Sequence, residues 1–261
     1  MERYFNYKAA FDGITVQLCN SVIIEEGEMH SYHEILFCEG ENLKLRTENQ
    51  KREFRGENLF IIPKGKYHSF DLTGLDEFFR LKLSISDEVA RSYSLGIFSS
   101  ELRVSSSISQ LQRLLIGGIC DHMQSLCDGE GDFYLRSSVM MLLAEMNRST
   151  LNDAPLDTRD GCEKRIIDGV IQYISEHISS DLSVDALSKI SSTSPSYLTH
   201  NFKKEVGISL HRYILQKRMI YARERIESGE RPTKIYTDCG YSDYSSFYKA
   251  YVKYFKESPS P

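Results

Sequence analysis

Two stretches near the C-terminus decide the fold: LSVDALSKISSTSPSYLTHNFKKEVG at residues 182–207 and PTKIYTDCGYSDYSSFYKAYVKYF at residues 232–255. In each, a short apolar segment leads through a polar turn to a serine that can cap a second helix, Ser194 in the first stretch and Ser242 in the second. Apolar pairs four residues apart give each second helix one face for packing and leave the opposite face free. The pattern predicts two helix-turn-helix units, joined by one long helix at residues 209–228.

The turn residues support this interpretation. Pro195 follows Ser194 at the first helical position, where the N–H that proline lacks is not needed. Gly240 stands where the second stretch must turn sharply, and glycine accepts a positive φ without steric cost. A short helix, a tight turn and a second helix form the geometry that places the second helix in a DNA major groove.

At this spacing, the two stretches resemble the DNA-binding domain of AraC-type transcription regulators. The matching residues are Leu182, Leu187, Ser194, Pro195, Ser196, Tyr197, Leu198, Phe202, Lys203, Lys204, Gly207, Tyr213, Arg218, Ala222, Ile235, Cys239, Gly240, Tyr241, Ser242, Asp243, Ser245, Phe247, Tyr254, Phe255 and Pro259. The resemblance implies a cytoplasmic transcription activator that binds double-stranded promoter DNA as a homodimer, contacts RNA polymerase, uses no cofactor and is not an enzyme. From the residues alone, a helical bundle with no nucleic-acid role is the alternative.

Charge is divided unevenly along the 261 residues. Residues 164–261 hold 15 Lys and Arg against 11 Asp and Glu, a net charge of +4, whereas residues 1–163 hold 17 against 26, a net charge of −9. A basic C-terminal part on an acidic N-terminal part fits a DNA-binding module joined to one that does not bind DNA. Ordinary charge scatter is the alternative, because +4 is a modest excess.

Composition disfavours several other classes of protein. No run of about eighteen apolar residues occurs, so we expect no membrane span, and the first residues, MERYFNYKAAFDG, lack the regions of a signal peptide. The six cysteines form no C-x-x-C pair, which argues against a zinc or redox motif and is typical of a reducing cytoplasm. The sequence also shows no nucleophile–base constellation and no phosphate-binding glycine loop.

The N-terminal third has the pattern of short strands. Five β-rich runs recur between residues 14 and 86, namely ITVQLCNSVII, EILFCEG, LKLRT, NLFIIP and FFRLKLSIS, with polar or glycine-bearing breaks between them. Such a series favours an antiparallel barrel or sandwich. The stretch GENLFIIPKGKYHSF at residues 56–70, with His33 and Glu34 upstream, is similar to the small cupin barrel that AraC-type regulators often carry as an effector-binding domain.

That resemblance implies a pocket for a small polar effector, a sugar or a related metabolite. The candidate pocket residues are Tyr32, His33, Glu34, Tyr67 and His68. Structural histidines without a ligand are the alternative.

The histidines also raise the question of a metal. Metal-binding cupins use an H-x-H pair, whereas this chain has two residues between His30 and His33. In a strand, an odd separation points the two rings to opposite faces, which weakens the metal interpretation. Three neutral imidazoles, including that of His68, can bind zinc or iron. We nevertheless expect no metal.

The predicted fold class is α+β, in four parts. A cupin-like antiparallel β-barrel occupies residues 1–106, a helical pair with a dimer contact 107–148, a polar linker 149–163, and an all-α domain of two tandem helix-turn-helix units 164–261. The helical pair shows two apolar stripes, and burial of both within one chain is the alternative to a dimer contact. The stripes are Ile108, Leu111, Leu115 and Ile119, then Leu135, Val139, Leu142 and Met146.

The free faces of the two recognition helices supply the candidate DNA-binding residues. They are Ser196, Thr199, His200, Lys203 and Lys204 in the first unit, and Tyr244, Ser245, Tyr248, Lys249 and Lys253 in the second. Lysines on phosphates would supply affinity without sequence information. Family members often have arginine where this chain has His200 and Lys249, so we hypothesise modest direct readout of bases. Lys217 and Arg218 in the connecting helix are interpreted as structural.

Three departures from the family pattern affect packing. Ser188 and Tyr236 stand where alanine is usual between paired helices, and Lys256 stands where a helix-ending glycine is usual. The size of Tyr236 predicts that the second unit is repacked or splayed. Two functions compete with the leading one: a cupin metalloenzyme with a helical appendage, and a regulator whose N-terminal domain binds a protein partner.

Overall fold

The computed structural model describes residues 5–20, 27–71, 79–98, 101–125, 129–130, 132–149 and 166–260. The N-terminal part is a β-sheet with helices on one face, and the C-terminal part is helical. None of the helices among the described residues is long and apolar enough to cross a membrane. The linker predicted at residues 149–163 lies outside these ranges except for Ser149, which ends a helix.

The described strands form one sheet in the order β7-β4-β3-β6-β2-β1-β8, with β5 paired to β3. Their bounds are β1 Asn6–Phe11, β2 Ile14–Cys19, β3 His33–Thr47, β4 Lys51–Ile62, β5 His68–Asp71, β6 Phe79–Ile85, β7 Arg103–Ser105 and β8 Gly129–Glu130. Neighbours are antiparallel, as predicted, except for the short parallel pairing of β1 with β8. Four of these strands, β1, β5, β7 and β8, were not predicted from the sequence.

The break predicted at residues 40–42 is a bulge rather than a turn. The pairing of β3 with β4 shifts register between Gly40 and Leu43, and the strand continues on both sides. The two strands predicted there are therefore one bent strand. A bulge bends the strand and increases its twist, which curves the sheet around its inner face.

Side chains alternate between the two faces of the sheet. In β6, Leu81, Leu83 and Ile85 belong to a large apolar cluster with the helices that cover the outer face. Lys82 and Ser84 point to the opposite, inner face. The inner face carries a second apolar cluster toward one end, which includes Leu36, Phe60, Ile62 and Phe70. Its other end is polar.

Two helices, α2 (Gln110–Ser125) and α3 (Phe133–Ser149), pack on the outer face, and a short helix, α1 (Asp87–Ser92), follows β6. All four residues of the predicted α3 stripe are buried, as expected. The predicted α2 stripe is wrong in part, because Leu111 is exposed and Gln112, Ile116 and Met123 are buried instead. The helix begins at Gln110, so the buried face is rotated from the one predicted.

The C-terminal part contains six helices among the described residues. They are α4 Ile166–Glu176, α5 Val184–Ile190, α6 Pro195–Val206, α7 Leu210–Glu227, α8 Pro232–Ile235 and α9 Tyr244–Phe255. The Ser194 hydroxyl caps α6 by accepting from the N–H of Tyr197 at 3.2 Å. The cap predicted at Ser242 is wrong: Asp243 caps α9, because its carboxylate accepts from both the N–H and the hydroxyl of Ser246 at 2.8 Å.

Tyr236 lies at the edge of the second helix pair and does not enter its core. The Tyr236 ring is half-buried and lies 6.1 Å from that of Tyr244, edge to face, within a cluster that includes Phe247 and Tyr251. Lys256 ends α9 with a φ of +61°, the left-handed conformation that favours glycine. The predicted disturbance at Tyr236 is therefore absorbed by an aromatic cluster at the edge of the pair.

Candidate DNA-binding faces and effector site

The outward face of α6 consists of exposed residues. Leu198, Phe202 and Val206 are buried on its inner side. The five candidate DNA-binding residues of this helix, Ser196, Thr199, His200, Lys203 and Lys204, are all exposed. The Thr199 hydroxyl donates to the Pro195 carbonyl oxygen at 2.9 Å, so this side chain offers a ligand mainly an acceptor oxygen and a methyl group.

The outward face of α9 has the same arrangement. Phe247 and Tyr251 are buried, and the candidates Ser245, Tyr248, Lys249 and Lys253 are exposed. Tyr244 differs from the other candidates, because it is half-buried against the rings of Tyr236 and Phe247. It positions the start of α9 as much as it presents a contact.

The long helix α7 is fixed by the basic residues that the sequence analysis interpreted as structural. The Arg218 guanidinium donates to the carbonyl oxygens of Ile178 and Ser180, at 3.3 and 3.0 Å. The Lys217 ammonium lies 2.9 Å from the Glu48 carboxylate on the turn after β3. One end of this link belongs to the N-terminal sheet, so the sheet contributes to the placement of α7.

A buried polar cluster lies at the polar end of the inner sheet face. Glu34 is 1% exposed, and its Oε2 lies 2.8 Å from the Lys82 Nζ and 3.2 Å from the His30 Nε2. The His30 Nδ1 is 2.6 Å from the Tyr32 carbonyl oxygen, so we assign it as the protonated nitrogen. The His68 Nδ1 is likewise 3.2 Å from a carbonyl oxygen, and its Nε2 lacks a hydrogen bond among the described groups.

The electrostatics of this cluster keep Glu34 charged. Burial alone would raise the pKa of Glu34, but the Lys82 ammonium beside it outweighs burial and holds that pKa well below its usual range. Burial lowers the pKa of His68, against the opposing attraction of Glu34. The cluster is thus built around one buried ion pair and a neutral imidazole at neutral pH.

The donor set does not fit a resident metal ion. Nitrogen and oxygen atoms of His30, Glu34 and His68 lie within 4.8 Å of one another, which is close enough to share an ion. The Lys82 ammonium, however, already occupies the carboxylate, and a divalent cation beside it would be repelled at close range in a desolvated site. The Lys82 ammonium therefore takes the place that a cation would need.

The buried histidines predict that the protein loses stability on acidification. Burial lowers the pKa of His33 as well as that of His68, so below the ordinary value of 6.5 the unfolded chain binds more protons at these sites than the folded chain. The pKa of Glu34 is lowered too, so this group also reduces the stability of the folded state as the pH falls below its ordinary pKa of 4.5. Each group contributes a slope of up to about 1.4 kcal/mol per pH unit in its window.

We expect the urea midpoint to fall as the pH is lowered from neutral to about 5, because in this range unfolding is accompanied by proton uptake at His33 and His68. His68→Phe should reduce the slope above about pH 5 and leave the Glu34 window below it. A midpoint that stays constant or rises over this range would contradict the assignment of neutral buried histidines.

The structure brings together only part of the predicted effector pocket. Tyr32, Glu34 and His68 gather around the polar cluster. The prediction for His33 is not met, because its ring faces the other side: it contacts Asp87 at 3.1 Å and stacks on Phe98.

Tyr67 lies away from the pocket as well. Its hydroxyl donates to the Val206 carbonyl oxygen at 2.9 Å, and its ring packs among the C-terminal helices. His33 and Tyr67 each precede a residue of the polar cluster, Glu34 and His68 respectively. Adjacent residues of an extended segment point to opposite sides.

An open cleft of about 620 Å³ adjoins the cluster. Tyr32 and Lys82 line it, together with residues that the sequence analysis did not select: Lys8, Ala10, Thr15, Gln17 and Ser84. The available signal was the alternation in FRLKLSI, where Arg80, Lys82 and Ser84 interrupt an apolar strand at every second position.

The segment at residues 27–32 connects this cleft to the C-terminal helices. The carbonyl oxygens of Gly27 and Met29 accept hydrogen bonds from Gln216 of α7 and Tyr254 of α9, at 3.1 and 2.6 Å. The even-numbered residues face the other way: the side chains of Glu28 and His30 reach the cluster, and Tyr32 lines the cleft. The same few residues therefore touch both the polar site and two of the C-terminal helices, α7 and α9.

Comparison with known proteins supports the helix-turn-helix interpretation of the C-terminal part. A family model described as a helix-turn-helix domain matches residues 187–261. The regulatory protein SoxS of Escherichia coli K12 is 33% identical over 98 residues, which are 37% of this chain and 92% of SoxS.

Two further relatives are matched over less of their length. The probable transcriptional regulator LumQ of Photobacterium leiognathi is 33% identical over 89 residues, which are 34% of this chain and 36% of LumQ. The HTH-type transcriptional activator RhaS of Salmonella paratyphi A is 25% identical over 171 residues, 63% of this chain and 57% of RhaS. Because the chain covers nearly all of SoxS at this level of identity, it belongs to the AraC-type family of DNA-binding transcription regulators.

Proposed function

We propose that the protein binds promoter DNA through α6 and α9 together and that a small polar molecule in the sheet cleft controls this binding. The observation that carries the proposal is the pair of exposed helix faces, each backed by a buried aromatic and apolar face. Both helices follow a turn with a positive φ, at Ser192 (+52°) and at Gly240 (+77°), so they act as two helix-turn-helix units.

The connecting helix supports simultaneous engagement of two grooves. Its 18 residues span about 27 Å at 1.5 Å per residue. Successive major grooves on one side of a duplex are about 34 Å apart. A rigid α7 therefore separates the two recognition helices by a distance of the order that one helical turn of DNA requires.

The accessible cleft favours a small molecule over a protein partner as the controlling ligand. A cleft of about 620 Å³ is within the usual range for small-molecule sites. A ligand bound there would affect segment 27–32 and, through the carbonyl groups of Gly27 and Met29, helices α7 and α9. RhaS is named as a transcriptional activator, and we extend activation, with RNA polymerase as a partner, to this chain.

The outer helices support a homodimer. Both α2 and α3 carry large exposed apolar side chains, among them Leu114 at 72% and Phe133 at 85% of full exposure. Covering such side chains with another protein surface would remove apolar area from water. We propose a second copy of the chain as its partner, which would place two double helix-turn-helix parts on one promoter.

The first test is binding to DNA from upstream of the protein's own gene, against a scrambled duplex and across a salt series. Replacing Lys203 and Lys204 together with glutamine should weaken binding to both duplexes and reduce the log–log salt slope by up to about two. Lys51→Gln, an exposed lysine on β4, is the matched control and should change neither.

His200→Ala provides the arm for sequence recognition. We expect it to reduce the preference for the promoter over the scrambled duplex while leaving the salt slope nearly unchanged. A double lysine variant with the wild-type slope would place the DNA on another surface, and equal binding of both duplexes by the wild-type protein would contradict sequence-specific recognition.

A further inference from the structure

The register of the strands arranges the polar residues of the cleft in rows across the sheet, and together these rows form a grid. Lys8, Gln17 and Lys82 are direct partners across β1, β2 and β6. Directly opposite residues in adjacent strands have Cβ atoms about 4.5–5.5 Å apart on the same face, so these three form one row. The row presents an ammonium, an amide and a second ammonium to the cleft.

A second row lies two residues along the same strands. Ala10, Thr15 and Ser84 are direct partners across β1, β2 and β6, and Glu34 of β3 is opposite Ser84. This row adds two hydroxyl groups to the cleft, with the buried carboxylate behind them. The ring of Tyr32 closes one side.

The charges of the first row differ in how far they are compensated. Lys82 is 8% exposed and already lies 2.8 Å from Glu34 and 3.6 Å from Glu28. Lys8 is exposed, and among the described residues no carboxylate lies within 4 Å of its ammonium. The other acid of the cleft, Asp12, is paired with Arg136. Within the part of the chain that the structure describes, the grid thus offers one positive charge without a carboxylate partner, next to an amide and hydroxyl groups.

We propose that the cleft binds a hydroxylated monocarboxylate of sugar size, a sugar acid, whose carboxylate lies at Lys8 and Gln17 and whose hydroxyl groups meet Thr15 and Ser84. This inference rests on the proposed control of the protein by a small molecule. A single charge of this kind matches a monoanion better than a phosphate dianion, and none of the described residues that line the cleft is an arginine, which would provide the two-pronged contact that suits phosphate. The hydroxyl row distinguishes a sugar acid from a simple fatty or aromatic acid.

The test is calorimetric titration of the purified full chain with D-gluconate, D-glucuronate, D-glucose, D-glucose 6-phosphate and acetate. We expect at least one of the two sugar acids to bind at least about tenfold more tightly than each of the other three, since a hydrogen bond to a charged group contributes that much discrimination. In Lys8→Gln, sugar-acid binding should fall by about tenfold or more, to the level of glucose. Lys51→Gln, on the exposed part of β4, should bind like the wild type.

Four outcomes would overturn the inference: glucose binding as tightly as the acids, tighter binding of the phosphate, an unchanged affinity in Lys8→Gln, or no binding by either sugar acid. The promoter assay is run on the same preparations. A protein that discriminates its promoter but ignores both sugar acids would refute the sugar-acid inference and leave DNA binding intact. Loss of promoter discrimination with sugar-acid binding retained would refute the proposed function instead.

Discussion

Replacing Glu34 with alanine is expected to lower the free energy of unfolding by about 3–5 kcal/mol. The carboxylate is 1% exposed and lies 2.8 Å from the ammonium of Lys82, which is itself 8% exposed. Removing it takes the nearer of two carboxylates from a buried cation and leaves Glu28 at 3.6 Å. Urea unfolding followed by circular dichroism measures the change.

Two comparisons separate the charge from the packing. Glu57→Ala removes the carboxylate from a more exposed pair with Arg113, 2.7 Å away, and should cost less than about 1 kcal/mol. The double variant Glu34→Leu/Lys82→Met removes both charges and keeps apolar bulk, so it should recover most of the loss. If Glu34→Ala costs no more than Glu57→Ala, the buried ion pair does not hold the cluster together.

In an extended segment, residues separated by an even number of positions point to the same side, and this parity explains which site residues could be predicted. The same rule that separates His30 from His33 also separates His33 from Glu34 and Tyr67 from His68. Applied consistently, it would have grouped Glu34 with His68 and sent His33 and Tyr67 to the other side, as the structure has them.

Parity cannot show what each face of a strand meets. The alternation of Lys82 and Ser84 with apolar residues predicts two faces, but a polar face fits solvent as well as the wall of a cleft. The choice depends on the neighbours Gln17 and Thr15, which are brought into register from far along the chain. Local chemistry sufficed for the helical part because each cap, turn and apolar pair acts within a few residues, although two adjacent capping residues, Ser242 and Asp243, left the start of α9 uncertain by one position.

The second large effect is expected from Gly27→Ala. A Cβ atom at this position would lie 1.8 Å from the hydroxyl oxygen of Tyr67 and 2.4 Å from the next ring carbon. The Tyr67 ring is 2% exposed and cannot turn away into solvent, so it must give up the 2.9 Å bond to the Val206 carbonyl at the end of α6. Overpacking and the lost buried hydrogen bond together predict a loss of about 2–5 kcal/mol in the free energy of unfolding.

A double-mutant cycle with Tyr67→Ala isolates the contact. The three atoms nearest to the added methyl group all belong to Tyr67, so Gly27→Ala should cost much less once the ring is absent, and the coupling energy should be about 1–3 kcal/mol. Gly169→Ala is the matched control, because this exposed position in α4 has no neighbour within 4 Å and alanine should stabilise the helix by about 0.5–1 kcal/mol. Additive costs at Gly27 and Tyr67 would mean that the two residues do not press on each other.

The same variant tests whether the sheet controls the recognition helices. Gly27 begins the segment that joins the cleft to α7 and α9, and its carbonyl oxygen accepts from Gln216 at 3.1 Å. If this segment transmits binding in the cleft, Gly27→Ala should retain the salt-dependent binding that depends on Lys203 and Lys204 but lose regulation of the promoter in a reporter assay. Regulation that survives a demonstrated loss of the Tyr67 contact would show that the signal takes another route between the sheet and the helices, and Glu48, which contacts both Tyr213 and Lys217 of α7, is the next residue to replace.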